Sequence, residues 1–135
     1  MADFPFQYAA KFLCTSNIPG TSQTTTSLLP GSYQTVVNIH NPNSTTIRFR
    51  MKLALASLEN PQISNFIEGG LKPDQAGKVD CSDLRNFDLQ LIHGFEGFLV
   101  IESTHSLDVI AVYTAGTKDG VSSMDVERVF ERYLT

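Results

Sequence analysis

Residues 47 to 55, IRFRMKLAL, carry an apolar side chain at every second position, with Arg48, Arg50 and Lys52 between them. In a strand, successive side chains point to opposite faces. Ile47, Phe49, Met51, Leu53 and Leu55 therefore ask for a buried side, and the three cations ask for water. A sheet packed on one face and wet on the other is antiparallel behaviour. The same period marks residues 7 to 14, QYAAKFLC, where Tyr8, Ala10, Phe12 and Cys14 share a face. It marks residues 32 to 40, SYQTVVNIH, through Tyr33, Thr35, Val37 and Ile39.

Between these last two lie eighteen residues rich in Thr, Ser, Gly and Pro (15 to 32), with no apolar period. They read as a surface crossover. Asn41-Pro42-Asn43 lies between two alternating runs and predicts a hairpin turn, since Pro presets φ and Asn tolerates left-handed geometry. Shorter extended pieces follow at 63 to 70 and 78 to 81. Ser82 is a plausible cap for a single helical turn over SDLRNF.

Residues 97 to 103 and 107 to 115 are almost continuously apolar, as central strands are, and the link THS is of hairpin size. The last segment carries both periods. Met124 and Val126 alternate with Asp125 and Glu127, which favours a strand over 121 to 128; Val126, Val129, Phe130, Tyr133 and Leu134 allow a short C-terminal helix. The sum is an all-β, antiparallel β-sandwich of immunoglobulin-like layout with seven to eight strands. A barrel is the alternative. At 135 residues the chain is one domain, 1 to 135.

The segments YQTVVNIHNPNSTTIRFRMKLAL, FIEGGLKPDQAGKVDCSDL and GFLVIESTHSLDVIAVYTAG resemble a set of small uncharacterised prokaryotic β-sandwich proteins. Those share a YAAKFLC start, an NIHNP turn, a VDC piece and an LDVIAVYTA strand. The likeness runs from Tyr8 to Val129 and implies no particular activity. At the level of fold the chain is also similar to the sensory rhodopsin transducer family, small β-sandwiches that form homo-oligomers linked to signalling and ligand binding. No motif residue is carried across from that family, so the implied function is analogy.

A net charge of −4 argues against a nucleic-acid or anionic-lipid surface. No apolar run is long enough for a membrane span, and the N-terminus lacks signal-peptide character, so a cytoplasmic location is expected. In that compartment Cys14 and Cys81 are expected as two reduced, buried thiols; a bridge would need their strands to be neighbours. Asp80 and Asp83 flank Cys81 and oppose an activated thiolate. The histidines, His40, His93 and His105, have no metal-ligand spacing, and no nucleotide or phosphate fingerprint is present. No cofactor, no metal and no catalytic residue is expected, and the chain reads as a non-enzyme.

Two surfaces remain. His40 and His105, at turns, and Arg48 and Arg50, about 7 Å apart on one strand face, are the candidate ligand-binding residues for a small or anionic molecule. The plainer role for the cations is pairing with Glu102 or Asp108 on a neighbouring strand. Phe4, Phe6, Phe130 and Tyr133 lie near the termini, where one domain has difficulty burying them, and are the candidate homo-oligomer interface.

Overall fold

The computed structural model describes residues 3–91, 94–117 and 119–134. The chain runs through eleven strands and one 3-10 turn among the described residues. The strands are β1 (Phe6–Ile18), β2 (Ser22–Gln23), β3 (Gly31–His40), β4 (Ile47–Leu55), β5 (Gln62–Ile63) and β6 (Ile67–Leu71), then β7 (Ala76–Val79). After the 3-10 turn Cys81–Asn86 come β8 (Phe95–Ser103), β9 (Asp108–Thr117), β10 (Gly120–Arg128) and β11 (Glu131–Tyr133). All pairings are antiparallel, and they join into one open sheet along the path β10-β9-β3-β1-β8-β4-β5. The all-β expectation holds. The count exceeds seven to eight because short pieces pair onto longer strands: β2 and β11 onto β1, β7 onto β3, and β5 and β6 onto β4.

The sheet curls over one buried cluster. Tyr8, Ala10 and Phe12 of β1, Val37 and Ile39 of β3, Leu53 of β4, Leu99 and Ile101 of β8, and Val109 and Ala111 of β9 all belong to it. The members from β1, β3 and β4 are apolar positions that the period-two reading turns inward, and those from β8 and β9 come from the two nearly continuous apolar runs. β1 is the hinge of the arrangement. Its residues 6 to 14 pair with β8, and its residues 14 to 17 pair with β3. Between Phe12 and Thr15 the inward alternation slips by one position. There the Leu13 N–H donates to the buried Thr35 hydroxyl, so a side chain satisfies the backbone where the strand bends away.

Two sequence expectations about turns fail for one reason. β3 and β4 do not form a hairpin: β3 pairs with β1, β7 and β9, whereas β4 pairs with β5, β6 and β8. β8 and β9 are likewise not partners. The links 41 to 46 and 104 to 107 carry the chain from one part of the sheet to another. The link between β6 and β7 does the same. Asn41 acts here through hydrogen bonds, not left-handed geometry, since among the described residues Asp74 is the non-glycine residue with positive φ.

The C-terminal tail is strand, not helix. Strand β10 covers the 121 to 128 segment as expected, and β11 then pairs with the start of β1, with Phe6 opposite Tyr133. A tail of a few residues cannot stabilise a helix alone, whereas the β1 edge offers it a ladder. The 3-10 turn is capped by Asp80 and not by Ser82. The Asp80 carboxylate accepts from the Ser82 amide and hydroxyl, while Asp83 accepts from the Asp80 amide. Those two donors from Ser82 hold the Asp80 carboxyl below its ordinary range.

The cysteine expectation is overturned. Cys14 and Cys81 are bonded to each other, with Cα atoms 5.7 Å apart, tying β1 to the first residue of the 3-10 turn. Spacing along the sequence could not show that the VDC piece folds back onto β1.

Candidate functional site

The three crossovers meet at one end of the sheet around Asn41, which is fully buried. Its side-chain amide donates to the Thr45 and Leu71 carbonyls, and its Oδ1 accepts from the amide and side chain of Asn43. Its backbone bonds to Gln75 and Asp74. Asn43 Nδ2 then donates to the Ser106 carbonyl in the β8–β9 link. One residue thus satisfies the polar groups of two crossovers, and its neighbour reaches the third.

His40 sits at the rim of this knot. Its Nδ1 lies 2.9 Å from Asp108 Oδ2 and its Nε2 lies 2.7 Å from Asp74 Oδ1. The hydrogen bonds to Asp108 first and to Asp74 second raise the imidazole pKa above its ordinary 6.5. A protonated His40 donates from both nitrogens and joins β3, the β6–β7 turn and the start of β9. Because the folded-state pKa is the raised one, this contribution is fully present below 6.5 and is lost as pH rises through the folded value. The exposed position limits its size. Thermal stability is expected to fall modestly above pH 6.5 in wild type, and a pH series of melting curves on His40→Gln should show that slope flattened. An unaltered slope would remove His40 as its source.

His105 shares this end but is exposed, and its Nδ1 contacts only the adjacent Thr104 hydroxyl. No hydrogen bond joins His40 to His105 among the described residues. His93 lies outside the described residues. No group of three or more His, Cys, Asp or Glu side chains among the described residues has the arrangement of a metal site.

The basic face of β4 has a structural occupation. Glu102 is almost fully buried opposite Arg50, and its Oε1 accepts from Arg50 Nε at 2.9 Å and Nη2 at 2.7 Å. Its Oε2 accepts from Gln7 Nε2 at 2.8 Å. The Arg50 guanidinium stacks 4.7 Å from the Phe4 ring and 4.1 Å from the Phe66 ring. Arg48 leans on Phe4 and Lys52 on Phe66, giving a ladder of alternating cations and rings. The expected pairing of a β4 cation with Glu102 is present. Asp108 instead pairs with His40. Arg48 is left exposed beside a recess of about 340 Å3 lined also by Phe4, Phe49 and Glu68.

The terminal aromatics divide. Phe4 is buried within its own chain, and Phe6 is half-buried with its ring edge-on to Tyr133 at 5.5 Å. Neither needs a neighbour, which corrects half of the sequence-based interface. Phe130 and Tyr133 are 76% and 65% exposed. Phe130 flanks a shallow groove of about 630 Å3 on the outer face of β1, β4 and β8, floored by Ala9, Ala54, Phe98 and Val100. Tyr8 pins the far end of this segment. Its hydroxyl accepts from the Leu107 amide and donates to Glu131, which Ser106 also contacts. Burial raises the Tyr8 phenol above its usual value and keeps it a donor.

Sequence reasoning missed Asp74, Gln7 and Phe66, whose roles arise from long-range pairing with no local signal. It also missed the exposed side chains of β10, although Met124 and Val126 alternate plainly in the sequence.

No protein-family model matches the chain, and no curated protein does. The crystal structure of Thermotoga maritima 1070 superposes with a TM-score of 0.61 at 11% identity over 100% of both chains, a likeness of fold alone.

Proposed function

We propose that this chain is a non-enzymatic assembly module that self-associates through its C-terminal ribbon. One observation carries the reading. Five of the nine large exposed apolar side chains among the described residues lie between 121 and 133: Val121, Met124, Val126, Phe130 and Tyr133. Such a concentration in so short a stretch marks an interaction surface more than scattered surface apolarity does. The resemblance to the sensory rhodopsin transducer family, whose members are homo-oligomers, points the same way. We also read the three crossovers as the arches of a two-layered sandwich.

The groups that would carry chemistry are engaged elsewhere. Both sulfurs are bonded to each other, both His40 nitrogens face carboxylates, and the Arg50 fork holds Glu102. The alternative, a sensor of small anions at this end, falls back on Arg48, with Glu68 in the same recess opposing an anion. It ranks second for that reason.

Light scattering on the eluting protein, across a range of concentrations, tests assembly directly. A discrete multiple of 14.9 kDa is expected. A species of 14.9 kDa at every concentration overturns the reading.

A further inference from the structure

The Cys14–Cys81 bridge joins two unequal partners. On one side is the sheet, whose ladders are complete without it. β1 pairs with β8 from Phe6 to Cys14 and with β3 from Cys14 to Asn17, and β3 pairs with β9 from Ser32 to His40. On the other side is the 3-10 turn Cys81–Asn86, none of whose six residues is fully buried. Its hydrogen bonds among the described residues stay within the segment. Asp80 accepts from Ser82, Asp83 accepts from the Asp80 amide, and the Asp83 and Phe87 amides donate to the Asp80 and Leu84 carbonyls. The bonded Cys81 sulfur lies 3.7 Å from the Leu13 carbonyl but has no proton to give it. The segment is otherwise fixed at its ends. Val79 is paired with Val37, and beyond the turn Phe87 enters the core while the two Asp88 oxygens accept from Asn65 at 2.7 and 2.6 Å.

A single 3-10 turn does not hold itself together in water. Between its anchors this one has the bridge and the half-buried Leu84, and one such leucine does not offset the ordering entropy of six residues. The bridge is also within reach of solvent. Both cysteines are half-buried and line a recess of about 230 Å3, and Cys81 lines a second recess of about 500 Å3 with Leu84 and Phe87.

We propose that the Cys14–Cys81 bridge is a redox latch: a dithiol reductant opens it in the folded protein and frees the turn Cys81–Asn86 while the sheet stays intact. This is independent of the assembly reading. Cys81, which lines both recesses, is the sulfur attacked. One thiolate of the reductant forms a bond to Cys81 Sγ, the Cys14–Cys81 bond breaks, and Cys14 leaves as a thiolate that takes up a proton. Asp80 and Asp83 beside Cys81 oppose a thiolate there, which makes Cys14 the better first leaving group. The second thiol of the reductant then attacks its own sulfur in the mixed disulfide. It closes the reductant's disulfide and releases Cys81, which is protonated in turn. Two electrons pass from the dithiol to the bridge, and the turn is left with its end anchors alone.

The test uses the full chain, purified in air, with dithiothreitol as the probe and no denaturant. Alkylation should find no free thiol before the reductant and both cysteines after it. Hydrogen exchange read residue by residue should then show the Ser82, Asp83 and Phe87 amides exchanging about tenfold faster or more, with β3 and β9 still protected. Reoxidation with a small disulfide should restore the slow turn. The double variant Cys14→Ser with Cys81→Ser should show the fast turn with and without dithiothreitol. A bridge that yields to dithiothreitol only in urea overturns the latch, as do two free thiols in the air-purified chain. Turn amides equally slow in the reduced chain or in the double variant overturn it, because packing then holds the turn. Strand amides that lose protection together with the turn also overturn it, because the bridge is then a staple of the whole fold.

Discussion

Replacing Cys14 and Cys81 together by serine should lower the unfolding free energy by about 4 kcal/mol. The bridge closes a loop of 67 residues, and the chain-entropy relation for a loop of that length gives about that figure. For a domain whose total stability lies in the range of about 5–15 kcal/mol, this is a large share. Local structure points in the same direction. Cys14 stands where β1 pairs with Phe95 of β8 on one side and Gln34 of β3 on the other. Through Cys81 it anchors the 3-10 turn, whose following residue Phe87 is buried in the core. Urea unfolding of wild type with and without a phosphine reductant should show the midpoint falling on reduction. The double serine variant should start at the lower midpoint and ignore the reductant. Coincident wild-type curves would mean that the bridge contributes nothing to the folded state.

The bridge also shows where sequence reasoning stops. The inward residues of β1, β3 and β4 were legible because alternation is local: Tyr8, Phe12, Val37, Ile39 and Leu53 each follow from their immediate neighbours. The partner of each strand was not. An Asn-Pro-Asn turn between two alternating runs looks the same whether the chain folds back as a hairpin or steps across the core. What decides is Asn41, whose buried amide finds Leu71 thirty residues away. The candidate site follows the same logic. His40 was visible as a histidine at a strand end, but Asp74 and Asp108 reach it from separate turns. The Arg50–Glu102 pair could be anticipated because both lie on strands of opposite pattern. The burial of Phe4 could not, since a residue near a terminus has no period to read.

Arg50→Met should be the most damaging single change on the outer face, costing roughly 3–5 kcal/mol, the range for stranding one member of a buried ion pair. Glu102 is 5% exposed, and Arg50 supplies two of the three donors to its carboxylate. With those donors gone, Gln7 alone faces a carboxylate that is largely withdrawn from water. Arg50→Lys should recover only part of the loss. A single ammonium keeps the charge but lacks the planar fork and the flat face that stacks between Phe4 and Phe66. The informative variant is the double change Arg50→Met with Glu102→Leu. Well-packed apolar replacements of a buried pair are often neutral, so the double variant should lie far closer to wild type than Arg50→Met does. Denaturant unfolding of the four proteins in a double-mutant cycle isolates the pair term. A double variant as unstable as the sum of the two single changes would show that Arg50 acts through its two phenylalanine rings and not through the carboxylate, making the aromatic stack, which holds Phe4 and the N-terminal segment to β4, the dominant contact of this face.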